Sequence, residues 1–235
     1  MSKPVAVITG ASRGIGRSIA IKFASNGFDL FIGGTNPTTL KELQSELEQQ
    51  FSCKCSYFVA DLSEERQCAL FVNAILNEYS KVDILVNNAG VFLGGKMMEE
   101  DNAQLRKMMD TNLFSAYWVT KGLWNSFAVD ARSHVFNMCS IASFTAYAAG
   151  GSYSISKFAL LGFSKSLRVE GMDKGIRVTA VMPGATLTDS WAGVDLPASR
   201  FMKSDDVAES IFAAWSMNKT TVMEEVILRP ILGDI

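Results

Sequence analysis

The run Pro4-Val5-Ala6-Val7-Ile8-Thr9 leads directly into Gly10-Ala11-Ser12-Arg13-Gly14-Ile15-Gly16, and an amphipathic segment follows at 17–24. The first run is short, apolar and rich in β-branched residues, which is typical of a strand buried on both faces. A glycine loop between such a strand and a helix is the arrangement in which backbone N–H groups and a helix N-terminus hold a pyrophosphate. A plain tight turn would also explain the glycines, but their position between a strand and a helix favours a nucleotide site.

Short apolar runs alternate with amphipathic segments along the rest of the chain, without a linker, an internal repeat or a low-complexity tract. This alternation predicts an α/β fold: a single doubly wound, Rossmann-type domain over residues 1–235, with a parallel sheet of about seven strands and helices on both faces. The predicted strands lie at 4–9, 28–33, 55–60, 82–86, 135–138, 176–182 and 222–228. The predicted helices lie at 17–24, 38–50, 70–79, 102–128 and 152–171, with a last one at 207–215 that Ser204 caps.

The composition argues against several classes of function. A net charge of −2 argues against a nucleic acid or an anionic membrane as the main partner. The only histidine, His134, is expected to open a strand, so neither a Ser-His-Asp hydrolase nor a histidine-rich metal site is indicated, and we predict no metal. No apolar run approaches the ~20 residues of a membrane-spanning helix. The four cysteines form no C-x-x-C pair, and free thiols suit the reducing cytoplasm, where we expect the protein.

Tyr153 and Lys157 stand one turn apart on the predicted helix at 152–171, ~6 Å along its axis. An ammonium in that position favours the phenolate and would lower a tyrosine pKa from its usual value of ~10. Pairs of this kind are also common on ordinary helix surfaces. Ser140 follows the strand at 135–138, at the carboxyl end where an open parallel sheet places its ligands. The three side chains together therefore point to chemistry at that edge of the sheet.

The loops at the same edge carry further polar or small residues. Asp61 and Leu62 end the third strand and could face an adenine ring, although Ser63 as the N-cap of the next helix is an equally good interpretation. Asn87-Asn88-Ala89-Gly90 follows the fourth strand, where small side chains let the backbone approach a ligand closely. A buried amide at Asn112, inside the long helical segment, would need a reason. It either satisfies backbone groups or holds a water near the predicted site.

The second strand carries the signal for cofactor choice. An acidic residue at its carboxyl end would bind the 2′-hydroxyl of NAD. Asp29 lies at the opposite end, and the carboxyl end reads Gly33-Gly34-Thr35-Asn36, without a carboxylate. Arg13 in the glycine loop can instead meet a 2′-phosphate, with help from the hydroxyls of Ser12 and Thr35. We therefore expect NADP(H) to be favoured over NAD(H).

By these motifs the chain resembles the short-chain dehydrogenase/reductase family, in its shorter single-domain branch, over almost its whole length. The resemblance implies that Tyr153 is the general acid/base and that Lys157 binds the nicotinamide ribose and lowers the Tyr153 pKa. It implies that Ser140 orients the substrate oxygen and that Asn112 holds a proton-relay water. The motifs that carry the resemblance are Thr9 to Gly16, Asn87 to Gly90, Asn112, Ser140, Tyr153-x-x-x-Lys157 and Pro183-Gly184.

The sequence and the resemblance together give a set of candidate cofactor contacts. The resemblance also implies a homodimer or homotetramer, formed through the long helical segments at 102–128 and 152–171. The candidate contacts are Gly10, Ser12, Arg13, Gly14, Ile15, Gly16, Thr35, Asn36, Asp61, Leu62, Asn88, Ala89, Gly90, Tyr153, Lys157, Pro183, Gly184, Thr186 and Thr188.

The expected activity is the reduction of a carbonyl to an alcohol with NADPH, or the reverse reaction. Residues 188–203 have weak periodicity and are predicted to form a lid over the substrate. By analogy with reductases of the family, a small ketone, aldehyde or hydroxy acid is favoured. A 3-oxoacyl-carrier-protein-type reductase is a weaker alternative, because the C-terminal segment lacks the glycine-rich ending common in that type. A non-catalytic NADP-binding sensor on the same fold is the alternative from another class.

Overall fold

A sheet of seven parallel strands forms the centre of the protein. The computed structural model describes residues 3–127, 133–148, 150–191 and 193–235. The strands are β1 (Val5–Ile8), β2 (Asp29–Gly34), β3 (Cys55–Val59), β4 (Ile84–Asn87), β5 (His134–Met138), β6 (Arg177–Pro183) and β7 (Glu225–Leu228). Their order in the sheet is β3-β2-β1-β4-β5-β6-β7, and each strand pairs with its neighbours in parallel. The predicted doubly wound fold with seven strands is confirmed.

Helices cover both faces of this sheet. The α-helices are α1 (Gly14–Ser25), α2 (Pro37–Gln50), α3 (Glu65–Glu78), α4 (Asn102–Met109), α5 (Ser115–Leu123), α6 (Gly151–Gly171) and α7 (Ser204–Ser216). Side chains of α1, α2 and α7 form the core on one face, and side chains of α3, α5 and α6 form the core on the other. Among the residues described, no helix combines the length and apolar character needed to cross a bilayer.

The strands inside the sheet are mostly apolar because they supply both cores. In β1, Ala6 and Ile8 point into the core that contains Phe23, whereas Val7 points into the core that contains Phe71. Successive side chains of a strand face opposite sides of the sheet, so a strand covered on both sides cannot alternate apolar with polar residues. Strands β2 to β6 divide their side chains between the same two cores, whereas the described side chains of the edge strand β7 supply only the core that contains Phe23. Burial on both faces therefore accounts for the continuous apolar runs of the sequence.

The strand order creates the crevice in which a ligand can lie. The chain moves outward from β1 to β2 and β3, then returns to pair β4 with the other side of β1. The connections on the two sides of β1 therefore run in opposite directions. A parallel sheet binds its ligands outside the carboxyl ends of the strands at such a reversal. The loops after β1, β4, β5 and β6 all open at this edge.

Some local predictions differ from the structure. The segment at 102–128 is not one regular helix, because a π-helical turn at Asp110–Phe114 separates α4 from α5; its predicted end, Ala128, lies outside the described residues. The alternative with Ser63 as a helix cap is wrong, since α3 begins after Glu64 and the Ser63 hydroxyl donates to Asp61 instead. The predicted cap at Ser204 is also wrong: this residue is the first of α7, whose N-terminus has no side-chain cap.

Candidate active site

Helix α6 and the carboxyl end of β5 bring the predicted catalytic side chains together. The Lys157 Nζ lies 5.6 Å from the centre of the Tyr153 ring and donates a hydrogen bond of 2.7 Å to the carbonyl of Met138. Ser140 stands two residues beyond that carbonyl and is almost buried, and its Oγ accepts from the Ala142 N–H at 3.1 Å. Lys157 is only 6% exposed. The last residue of β5 thus fixes the ammonium, and the following loop presents the serine beside it.

The electrostatics of this group differ from the sequence prediction. Burial raises the pKa of Tyr153 to about 12, and the neighbouring Ser140 hydroxyl acts in the opposite direction without reversing the shift. The net shift of the Tyr153 pKa is therefore upward, opposite to the lowering by Lys157 that the sequence analysis predicted. Burial also lowers the pKa of Lys157 to about 8. The loss of hydration disfavours the charged form of both groups. Tyr153 is consequently a protonated phenol at neutral pH.

Asn112 lies in the π-helical turn between α4 and α5 and is buried. Its Oδ1 accepts from the Val91 N–H at 2.7 Å, and its Nδ2 donates to the Val91 carbonyl at 3.0 Å and to the Ser156 Oγ at 2.9 Å. Both amide protons are thus engaged, and only one lone pair of Oδ1 remains. Turns of this type are frequent at functional sites. Of the two roles predicted for Asn112, satisfying backbone groups is the one that its contacts show.

The N-terminus of α6 is capped by a residue that the sequence analysis missed. The carboxylate of Glu100 accepts from the Ser152 N–H, with distances of 3.3 and 3.2 Å to its two oxygens. Gly151 has a φ of +38°, and a Cβ there would lie 1.7 Å from the Glu100 Oε1. A carboxylate stabilises the positive end of a helix dipole. Because the contact joins residues 52 positions apart, no local pattern could have indicated it.

A cavity of about 500 Å³ opens beside these residues. Phe92 stands at its wall, with its ring perpendicular to that of Tyr153 and 4.9 Å from it. Phe92, Tyr147 and Asp234 are lining residues that the sequence analysis did not select. Most of the wall surface is apolar. The residues predicted from the sequence that line the cavity are Ile15, Asn88, Gly90, Ser140, Tyr153, Lys157, Pro183, Gly184, Thr186 and Thr188.

The glycine loop has the shape and the free donors that fit a dinucleotide phosphate. Gly10 has a φ of +64°, and a Cβ at Gly16 would lie 2.3 Å from the Gly10 carbonyl oxygen. Asn88 donates to the carbonyls of Thr9 at 3.0 Å and Gly10 at 2.9 Å, so its side chain shapes the loop. No side chain of the described residues caps α1. The first N–H groups of that helix are therefore available to an anion.

Two of the residues predicted to select the cofactor, Ser12 and Thr35, lie at the end of β2. The Ser12 hydroxyl lies next to this strand end, and Thr35 is exposed just beyond it. Arg13 is exposed and forms an ion pair with Asp189 in the predicted lid, with 2.9 Å between Nη1 and Oδ2. Asn36 is committed to helix α2, because its Oδ1 accepts from two backbone N–H groups of the first turn. Only its amide nitrogen is left for a ligand.

Leu62 and Asp61, both predicted to contact the cofactor, differ in their exposure to solvent. Leu62 is 4% exposed and packs in the core between the sheet and α3, so its side chain cannot face a ligand. Asp61 is exposed, and its Oδ1 accepts from the backbone and the hydroxyl of Ser63.

Gly14 has a φ of +53°, and a Cβ there would lie 3.2 Å from the Thr188 side chain. The glycine loop and the segment after β6 are therefore close neighbours.

The segment predicted as a lid contributes Thr188, Ser190 and Trp191 to the cavity wall. Trp191 lines the cavity, and its ring packs edge-on against Phe201 with 5.1 Å between the centroids. An isolated bridge pairs Thr186 with Met202, which joins the two ends of the segment. Ala192 lies outside the described residues. Two short 3-10 turns, Asp189–Trp191 and Ala198–Arg200, are the regular structure described within it.

The parallel sheet and its glycine loop define a fold of the dinucleotide-binding class. The model of the short chain dehydrogenase family matches residues 4–197, and the chain belongs to that family. It is therefore an oxidoreductase of alcohol and carbonyl groups.

Known proteins similar to this chain agree with that assignment. A sepiapterin reductase of Chlorobaculum tepidum is 30% identical over 241 residues, which cover 99% of this chain and 98% of that protein. A diacetyl reductase of Staphylococcus epidermidis, described as (S)-acetoin forming, is 30% identical over 89% of this chain and 80% of its own length. An alcohol dehydrogenase of Thermococcus sibiricus, solved with 5-hydroxy-NADP, superposes with a TM-score of 0.93 at 27% identity and covers 100% of this chain and 99% of its own.

The buried ammonium predicts a pH-dependent stability. Because the folded-state pKa of Lys157 is lowered from 10.5 to about 8, the unfolded chain binds more protons than the folded protein between these values. The wild type should therefore gain roughly 3 kcal/mol of stability relative to Lys157→Met as the pH rises from 7 to about 10.5. Urea unfolding of both proteins across this range measures the difference. A stability difference that does not change with pH would show that Lys157 is not held at a cost.

Proposed function

We propose that the protein is an NADP(H)-dependent oxidoreductase that reduces a carbonyl to an alcohol, or performs the reverse reaction. The observation that carries the proposal is the convergence of Ser140, Tyr153 and Lys157 on one cavity next to the glycine loop. The relatives named as sepiapterin reductase and diacetyl reductase support the same reaction class. A sensor on this fold would need the nucleotide site alone, so the complete set of catalytic side chains favours the enzyme.

The proposed roles follow from the protonation states in the cavity. The nicotinamide cofactor, when bound, supplies the hydride for the carbonyl carbon. Tyr153, protonated at neutral pH, donates its phenolic proton to the carbonyl oxygen, and Ser140 holds that oxygen by a hydrogen bond. Lys157 stabilises the phenolate that is left and binds the ribose hydroxyls. In the reverse direction the phenolate accepts the proton of the alcohol.

Asn112 is proposed to contribute in two ways. Its amide holds Val91, which lines the cavity, and Ser156, which lies beside Lys157 on α6. A relay water, through which Lys157 would exchange protons with solvent, would have to use the remaining lone pair of Oδ1 or a backbone carbonyl. The position of Gly90 supports a water between Asn112 and Lys157, because a Cβ on Gly90 would lie 3.2 Å from the Asn112 Oδ1 and 3.7 Å from the Lys157 Nζ.

NADP(H) is the proposed cofactor in preference to NAD(H). The end of β2 lacks a carboxylate and has the hydroxyls of Ser12 and Thr35 beside it, and the exposed cation of Arg13 follows Ser12 in the glycine loop. Such a group suits a 2′-phosphate and offers nothing specific to an unmodified ribose. The Thermococcus sibiricus relative, solved with an NADP derivative, supports this assignment.

The proposed substrate is a small carbonyl compound. The cavity of about 500 Å³ has to receive the nicotinamide ring as well as the substrate, which leaves little room for a long acyl chain. Four free cysteines, three of them buried, suit a reducing compartment, and we propose the cytoplasm as the place of action. We also propose that residues 1–235 work as one domain, with 188–203 as the lid over the substrate.

Tyr153→Phe tests the acid. The variant should lose at least about 10²-fold in the rate of NADPH oxidation with a carbonyl panel, because the proton donor is gone while the ring stays. The affinity for NADPH, measured by fluorescence titration, should change little. Tyr147→Phe is the matched control, since Tyr147 is a second phenol of the same cavity and should keep most of its activity. If Tyr153→Phe remained nearly as active as the control, Tyr153 would not be the acid.

Arg13→Ala tests cofactor choice. The variant should bind NADPH at least about ten-fold more weakly, and NADH with unchanged affinity, because the lost cation can contact only the 2′-phosphate. Asp189→Asn should strengthen NADPH binding slightly, since it frees Arg13 from its ion pair. Calorimetric titration of both nucleotides gives the affinities. Equal losses for the two nucleotides in Arg13→Ala would separate Arg13 from the recognition of the phosphate.

Assembly through α5 and α6 is a further proposal. Tyr117, Ile155 and Phe158 expose between 40% and 47% of their surface on these two helices. Light scattering should give the mass of a dimer or a tetramer, and Phe158→Asp should reduce it. Val169→Asp on the same helix, at a position 65% exposed, is the control and should leave the mass unchanged. A monomeric wild type would rule the proposal out.

A further inference from the structure

The charged groups of the cavity wall are few and unevenly placed. Among the described side chains that line the cavity, Lys157 carries the positive charge and Asp234 carries the negative charge. Lys157 is turned toward the Met138 carbonyl, and the proposed function engages it with the cofactor ribose. No further lining side chain in these described segments carries a positive charge that could neutralise a substrate carboxylate. A carboxylate group would enter such a cavity at the cost of its hydration.

Asp234 lines the cavity, and two arginines hold its carboxylate and its backbone. Its Oδ2 accepts from the Arg229 Nη1, and its backbone carbonyl accepts from the Arg200 Nη2 at 3.3 Å. A turn closed by a 2.9 Å hydrogen bond from the Gly233 N–H to the Pro230 carbonyl precedes it. The Arg229 guanidinium is not part of the cavity wall and lies 5.8 Å from the centre of the Phe144 ring. Of the two partners of this ion pair, only Asp234 belongs to the described cavity wall.

Asp234 also lies close to the segment that follows β6. A Cβ on Gly184 would approach the Asp234 Oδ1 to 3.4 Å, and Gly184 itself lines the cavity. The carboxylate thus belongs to the same wall as Pro183 and Thr186 and not to a distant rim. At such short range, in a partly enclosed space, a fixed charge acts with less screening than on an open surface.

We propose that Asp234, oriented by Arg229, selects the substrate by charge: the enzyme accepts uncharged carbonyl compounds and rejects keto acids and hydroxy acids. This inference rests on the proposed function and narrows its substrate class, which the sequence left open to hydroxy acids. Asp234 acts as a specificity-determining residue, because a carboxylate on the substrate would meet a like charge and find no partner. Arg229 fixes the carboxylate in place and is itself masked by it.

The test compares a neutral keto ester with the acid that has the same ketone, for example methyl pyruvate with pyruvate. The ester used is the keto ester of the panel that the wild type reduces best, and the acid used is the corresponding keto acid. NADPH oxidation gives kcat/KM for each compound, and their ratio, ester over acid, is the readout. We expect a ratio of about 100 or more in the wild type, since like-charge repulsion and lost hydration both act against the acid.

Two variants should move this ratio in opposite directions. Asp234→Asn removes the repelling charge and unmasks Arg229, so the ratio should fall about ten-fold through a gain in the acid. Arg229→Gln leaves Asp234 without its counter-charge, so the ratio should rise, while kcat/KM for the ester stays within a few-fold. The matched control is Glu224→Gln, which breaks the 3.0 Å pair between Arg168 and Glu224 outside the cavity and should not change the ratio.

The opposite signs separate a charge effect from a structural one, because mere disruption of the segment would move both variants the same way. A wild type that reduces the acid as well as the ester overturns the inference, as do variants that match the control or shift the ratio in one direction. In those cases reduction of the ester continues and the proposed function stands. If the wild type binds NADPH but reduces no carbonyl of the panel, the proposed function fails and the charge selection fails with it.

Discussion

The burial of the Lys157 ammonium is the constraint around which the site is built. Its described hydrogen bond goes to a neutral carbonyl, that of Met138, and burial lowers its pKa to about 8. A buried cation without a carboxylate partner destabilises the folded protein at neutral pH. Groups held at such a cost concentrate at functional sites, because an arrangement without a use is readily replaced by an apolar one. The destabilising position of Lys157 at the carboxyl end of β5 therefore supports a functional site there.

The sheet brings Tyr153 and Lys157 near the cofactor crevice, but it does not by itself fix their positions. Helix α6 is held by contacts from two other segments: Glu100 accepts from its first turn, and Asn112 donates to Ser156. The Ser156 hydroxyl in turn donates to the Tyr153 carbonyl at 2.8 Å. These are side-chain hydrogen bonds in a poorly hydrated region, where satisfied polar networks favour a single arrangement over its alternatives. The loop after β4, the π-helical turn and α6 consequently form one unit.

Much of this architecture follows from local sequence patterns. A strand covered on both faces is mostly apolar, so β1 and its neighbours were predictable from their composition. The tight turn after β1 was predictable from its glycines, and the structure shows the reason, because a Cβ at Gly16 has no room. The features of the site that the sequence analysis missed depend on contacts between distant residues. The cap from Glu100, the position of Asp234 and the hydrogen bond from Asn112 to Ser156 join segments that only the fold brings together. Burial also decided the Tyr153 pKa, and the spacing of Tyr153 and Lys157 gives the charges but not their hydration.

The two ion pairs that enter the proposals differ in how far water reaches them. Arg13 and Asp189 are 76% and 68% exposed at their side chains, whereas Arg229 and Asp234 are 40% and 35% exposed. Water screens the first pair strongly, so a phosphate that competes for Arg13 displaces little interaction energy. The second pair is less exposed, and its acidic member Asp234 lines the cavity, so the charge of Asp234 is less screened than that of Asp189. The proposed recognition of a phosphate by Arg13 therefore needs only an exposed ion pair to open, whereas the proposed selection by Asp234 uses a pair that stays closed.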